Sequence, residues 1–206
     1  MTSGNKPVRC VLAVMALMVA AHSGLAATEA EQPVPHAWGL DQLMRDLGRV
    51  KEAKGLFVER KYIAMLNAPL ESSGTLIYRA PGRLEKHTLR PRAESLTLEG
   101  DKLRIEIKAK NERRTFALPD NPVLWAFVES IRSTLAGDAR TLNRFYHVAL
   151  EGTESRWRLL LKPREQAMQD VVSEIRLGGS GTWIGTIETL ESGGDRSVMT
   201  VTRDAS

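Results

Sequence analysis

Residues 101–110, DKLRIEIKAK, put Leu103, Ile105 and Ile107 on one side of an extended chain and Arg104, Glu106 and Lys108 on the other. A period of two with one apolar and one charged face belongs to an antiparallel sheet, buried on one side and wet on the other. The same period begins at Leu56. LFVERKYIAML, SGTLIYR, RLEKHTLR, ESLTLEG and RRTFAL carry it through the first half of the chain. FYHVALEG, SRWRLLLKP, VVSEIRLGG, TWIGTIETLE and RSVMTVTRD carry it through the second. The pattern predicts about ten strands, with tight turns at EGD (99–101) and ESGGD (191–195).

Two helical patterns stand beside the strands. AWGLDQLMRDLGRVKEAKG, residues 37–55, spaces Leu40, Leu43, Met44, Leu47 and Val50 by three or four, with Gly55 as a stop. NPVLWAFVESIRSTLAG, residues 121–137, starts with Asn121 as a cap and Pro122 at the first helical position, and Gly137 ends it. Leu124, Phe127, Val128, Ile131 and Leu135 form its apolar stripe. GDARTLNRFY adds a further turn capped by Asp138. The fold class is therefore α+β: a long curved antiparallel sheet with helices gathered on one face.

The N-terminus reads as a secretory signal. Lys6 and Arg9 precede the apolar run VLAVMALMVAA, and Gly24 and Ala26 supply small residues for cleavage after Ala26. Residues 1–26 are the signal, 27–36 a polar, proline-containing leader, and 37–206 a single domain. Cys10 is the only cysteine and lies in the signal, so the expected mature chain has no disulfide and relies on its core. Removing Lys6 and Arg9 lowers the formal charge from +4 to about +2. That weak bias argues against a nucleic-acid partner.

Catalytic and metal-binding patterns are weak. His36, His87 and His147 are widely separated and lack metal-ligand spacing. Ser180 sits among glycines in GGSGTW without the spacing of a nucleophile elbow. The sequence calls for no catalytic residue, metal or cofactor. Its unusual feature is apolar bulk on the second helix, which fits either a dry core or a lid over a hollow.

The order of these pieces resembles the periplasmic outer-membrane lipoprotein carrier family, the LolA family. The resemblance runs through LFVERKY, SSGTLIYRAPGRLEK, Pro91 and ESLTLEGDKLRI. It continues in PVLWAF, LLLKP and IETLESGGDRSVMTV, and so covers the expected mature chain. It implies an open half-barrel with a helical lid over an apolar hollow that holds the acyl chains of lipidated proteins. In the family, an arginine just before the first proline takes part in lid closure; here that position is Ala80. Arg79 and Arg83 are the nearest cations and become candidates for the rim gate. A shift of one residue along a strand reverses the face, so Arg79 needs a bulge to reach the lid. Leu84 and Lys86 stand where aromatics are common in the family.

The implied function is a non-enzymatic, monomeric periplasmic carrier of an acylated protein or lipid-like cargo. Its implied partners are an inner-membrane donor and an outer-membrane acceptor. Leu43 and Leu47 of the first helix and Leu124, Phe127, Val128 and Ile131 of the lid are the expected helical lining. The expected sheet lining is Phe57, Leu76, Tyr78, Leu84, Leu96, Leu98, Leu103, Ile105 and Trp157. Each buried methylene contributes about 0.8 kcal/mol, so a chain of roughly fourteen carbons gains on the order of 10 kcal/mol before costs. A second reading is a module on the same fold that docks another periplasmic protein. A lipid hydrolase or acyltransferase is a third, opposed by the missing nucleophile and base.

Overall fold

The computed structural model describes residues 38–204; the expected signal and leader lie outside the described residues. The first helix is shorter than its periodicity suggests. α1 (Leu40–Leu47) buries Leu43, Met44 and Leu47, and the chain is already extended in β1 (Glu52–Tyr62). Gly55 is therefore a strand residue and not a helix stop. A Cβ there would lie 2.7 Å from Val201 Cγ1 and 2.9 Å from the Thr202 carbonyl oxygen, so the close approach of the neighbouring strand requires glycine.

Five strands follow: β2 (Leu70–Arg79), β3 (Arg83–Arg90), β4 (Glu94–Glu99), β5 (Lys102–Ile107) and β6 (Glu112–Ala117). Next come α2 (Pro122–Ala136) and α3 (Ala139–Phe145), whose ends follow local chemistry. Asn121 Oδ1 accepts from the Leu124 amide at 3.0 Å, and Gly137 adopts φ 67° at the C-terminus of α2. Asp138 Oδ1 accepts from the Thr141 amide at 2.9 Å and starts α3. The chain closes with β7 (Tyr146–Thr153), β8 (Arg156–Pro163), the short α4 (Gln166–Gln169), β9 (Val172–Ser180), β10 (Trp183–Glu191) and β11 (Arg196–Arg203).

All eleven strands form one sheet in the order β6-β5-β4-β3-β2-β1-β11-β10-β9-β8-β7. Every pairing is antiparallel, and β6 and β7 are its free edges. The helices that connect β6 to β7 span that gap along the chain.

The sheet must curve. Leu124, Trp125 and Val128 of α2 pack on Leu98 and Leu103 of β4 and β5. Ile131 and Leu135 of the same helix pack on the cluster that holds Leu159 and Leu161 of β8. In a flat sheet, β4 and β8 would be about 34 Å apart, given seven spacings of ~4.8 Å. A helix of this length spans only about 22 Å. The two halves of the sheet therefore wrap around α2.

The part of the second half built on β7, β8 and β9 is densely packed. Leu142, Tyr146, Leu159, Leu161, Ile175 and Leu177 are all fully buried there. Tyr146 donates from its hydroxyl to the Ala126 carbonyl at 2.7 Å and ties β7 to the middle of α2. The opposite face carries a charge ladder in which Arg176 of β9 pairs with Glu174 and Glu188, and Arg196 pairs with Glu188.

Candidate functional site

The first half of the sheet does not close onto α2. A hollow of about 330 Å³ remains between them, at the lower end of the range for ligand cavities. Alternation along each strand places the wall. β2 supplies Leu76 and Tyr78, β3 Leu84, β4 Leu96 and Leu98, and β5 Leu103. Leu47 of α1 and Leu124, Phe127, Val128 and Ile131 of α2 line the other side.

Four of the expected lining residues lie off the wall. Leu43 is buried in the dry cluster beneath α1. Trp157 lies flat beside Gly179, where a Cβ would come within 2.4 Å of the indole, and its Nε1–H donates to the Gly181 carbonyl at 2.9 Å. Phe57 is buried with Met199 and Val201, its ring lying over Gly74, where a Cβ would be 3.0 Å from Phe57 Cε1. Ile105 is half-buried on β5 outside the hollow. Their place is taken by Trp183, Ile184 and Ile187 of β10 and Met199 and Val201 of β11. The periodicity of these strands identifies an apolar face; which strands border the hollow depends on sheet order.

One end of the hollow is polar. Glu59 of β1 and Lys86 of β3 both line it, together with Ser197 and Thr189. Lys86 lies across from Leu76 and reaches over β2 to Glu59, with Nζ 2.6 Å from Oε2. The ammonium also lies 4.9 Å from the centre of the Phe57 ring. Ser197 and Ser72 donate to Glu59 at 2.7 and 3.4 Å. Burial pushes the Glu59 carboxyl up, but the Lys86 charge and the hydrogen bonds from Lys86, Ser197 and Ser72 outweigh it, and the group titrates below its ordinary range.

The two rim candidates face away from the lid. Arg79 and Arg83 are opposite one another across β2 and β3, alternating with Tyr78 and Leu84. The register runs unbroken from Gly74 to Arg79, so no bulge turns Arg79 inward. Arg79 pairs with Glu52 at 3.0 Å and Glu85 at 3.1 Å; Arg83 pairs with Glu85 at 2.9 Å and Glu99 at 2.8 Å. The Arg83 hydrogen bond, with a smaller one from His87, holds the Glu85 carboxyl below its usual range.

The cation at the rim comes from the lid instead. Arg132 of α2 lays its stem over the turn between β2 and β3, where a Cβ on Gly82 would meet Arg132 Cδ at 3.1 Å. Its Nη1 donates to the Gly100 carbonyl, in the turn between β4 and β5, at 3.4 Å. The guanidinium also pairs with Glu129, which is 1% exposed. Glu129 further accepts from Trp125 Nε1 at 3.1 Å and Ser133 Oγ at 2.9 Å. The signal for this cluster was an acid inside the apolar run WAFVESIR with an arginine three residues on.

A curved open sheet, an internal apolar hollow and a helix laid across it define a lidded half-barrel. The chain belongs to the family of outer membrane lipoprotein carrier protein LolA-like proteins, whose model matches residues 32–205. Three solved structures are similar. A LolA superfamily protein of Nitrosomonas europaea is 9% identical, with TM-score 0.44 over 82% of this chain and 96% of that one. A DUF1329 family protein of Desulfovibrio piger is 10% identical, with TM-score 0.44 over 81% and 91%. A putative outer membrane lipoprotein-sorting protein domain of Vibrio parahaemolyticus is 7% identical, with TM-score 0.42 over 79% and 88%. No curated protein matches the sequence.

Proposed function

We propose that this protein is a non-enzymatic periplasmic carrier that shields an acyl chain of a lipoprotein or lipid-like cargo and moves it towards the outer membrane. The observation that carries this reading is the hollow of about 330 Å³, walled by leucines and roofed by the apolar stripe of α2. At about 30 Å³ per water-sized group, it has room for on the order of ten methylenes. Burying them contributes roughly 8 kcal/mol before the costs of ordering the chain. The chain would lie between Leu76, Tyr78, Leu84, Leu96, Leu98 and Leu103 on the sheet and Leu124, Phe127, Val128 and Ile131 on the lid. Arg132, rather than Arg79 or Arg83, would close the lid onto the rim.

An apolar hollow between the sheet and α2 favours carriage over docking of a protein partner. The test is lipid extraction from the purified protein followed by mass spectrometry, with lipopeptide titration beside it. Co-purifying acyl species, or micromolar lipopeptide binding, is the expected result. An empty protein that also ignores lipopeptides removes the carrier reading. Cross-linking to a protein partner while the hollow stays empty replaces it with docking.

A further inference from the structure

We propose that the Lys86–Glu59 pair seats the carbonyl linkage of the cargo, so that the hollow selects neutral acyl esters or amides over free fatty acids. This rests on reading the hollow as an acyl site. The pair is built into the wall: Lys86 and Glu59 both border the hollow, at its end away from the turn between β2 and β3. Glu59 is opposite Ser72, six residues before Tyr78 on β2, which is about 20 Å along the strand. A chain of the length the hollow holds, with its polar end at the Lys86 ammonium, runs from there towards Tyr78, Leu84 and Leu98.

The hydrogen-bond inventory sets the chemistry of that end. Glu59 already accepts from Lys86, Ser72 and Ser197. Lys86 has three N–H donors and gives one to Glu59, its only hydrogen-bond acceptor among the described residues. Most of the spare capacity is therefore donor, two N–H groups on Lys86 against about one acceptor site on Glu59, and it fits an acceptor on the ligand. Charge narrows the choice. Lys86 and Glu59 cancel, and the apolar walls screen poorly. A carboxylate at Lys86 would sit against the Glu59 carboxylate, at a like-charge cost. An ester or amide carbonyl accepts the same hydrogen bond without that cost. A basic head group is disfavoured because it would sit against the Lys86 ammonium, with at most one acceptor site left on Glu59.

The test uses the purified protein and displacement of an apolar fluorescent dye by three sixteen-carbon ligands: monopalmitoylglycerol, palmitoylethanolamide and palmitate at pH 8. The ester or the amide should displace the dye at about tenfold lower concentration than palmitate, the size of a modest like-charge cost. Preference for one of the two identifies the linkage. Lys86→Met should weaken both neutral ligands about tenfold by removing the donor, and should weaken palmitate at least as much, because the Glu59 charge is left uncompensated. Glu59→Gln leaves the Lys86 charge uncompensated and should strengthen palmitate at least tenfold, inverting the order. Palmitate binding as well as both neutral ligands to the unaltered protein overturns the proposal, whatever the variants do. Unchanged affinity for both neutral ligands in folded Lys86→Met also overturns it, leaving a pair that only holds β1 to β3. If the dye binds but none of the three ligands displaces it, the acyl-site reading falls, and this inference with it.

Discussion

The two halves of the sheet are built from the same alternating strands and covered by the same helices, yet one is solid and the other is not. On β8 and β9, Leu159, Leu161, Ile175 and Leu177 are fully buried by α2, α3 and one another. On β2 to β4, Leu76, Leu84 and Leu96 occupy equivalent inward positions and are only half-buried. Between these walls lies space instead of side chains. The difference teaches that this fold concentrates its stability on one side. The other side trades packing for a hollow.

The comparison can be broken by substitution. Leu161→Ala in the solid half should cost about 4 kcal/mol, because the lost side chain leaves a cavity in a filled core. Leu84→Ala in the hollow half should cost about 1 kcal/mol, since the space beside it is already open. Urea midpoints of both variants measure this, and equal losses would erase the distinction. Arg132→Met should come next, at about 3 kcal/mol, because Glu129 stays buried without its cation. Rescue by Arg132→Lys should be incomplete, since lysine lacks the fork that reaches both Glu129 and Gly100.

Glu59→Gln tests the polar end of the hollow through its pH dependence. The folded-state pKa of Glu59 is lowered, so its stabilisation is full above the unfolded carboxyl range and fades as pH falls through the folded value. The variant should be weaker by about 1 kcal/mol at pH 7. That gap should close below about pH 4, in urea melts taken at both pH values. The smallest effect is expected at Met65, which is 93% exposed in the loop after β1. Met65→Ser should change stability by less than about 0.5 kcal/mol.

Much of this architecture was legible in the sequence because it is written locally. Asn121, Pro122 and Gly137 mark α2 almost to the residue, and alternation identifies the inward residues of β2 to β5. What escaped depends on neighbours far away in the chain. Phe57 and Trp157 read as wall residues, but their rings pack closely against Gly74 and Gly179. Met199 and Val201 border the hollow only because β11 pairs with β1. The helix predicted over 37–55 stops early because β1 claims its last residues for the sheet. Lys86 read as a departure from the family; its cross-strand partner Glu59 is 27 residues away.

The sheet ends in two unpaired edges, β6 and β7, and the chain between them contains α2. In a closed barrel, girth is fixed by strand number and stagger, and widening it means breaking ladder hydrogen bonds. Here the circumference is completed by a helical strut seated on side chains. For the proposed acyl cargo, a wider bore would therefore come from flexing the sheet and shifting that strut, with the strand-to-strand bonds kept. Capacity would then be set by curvature.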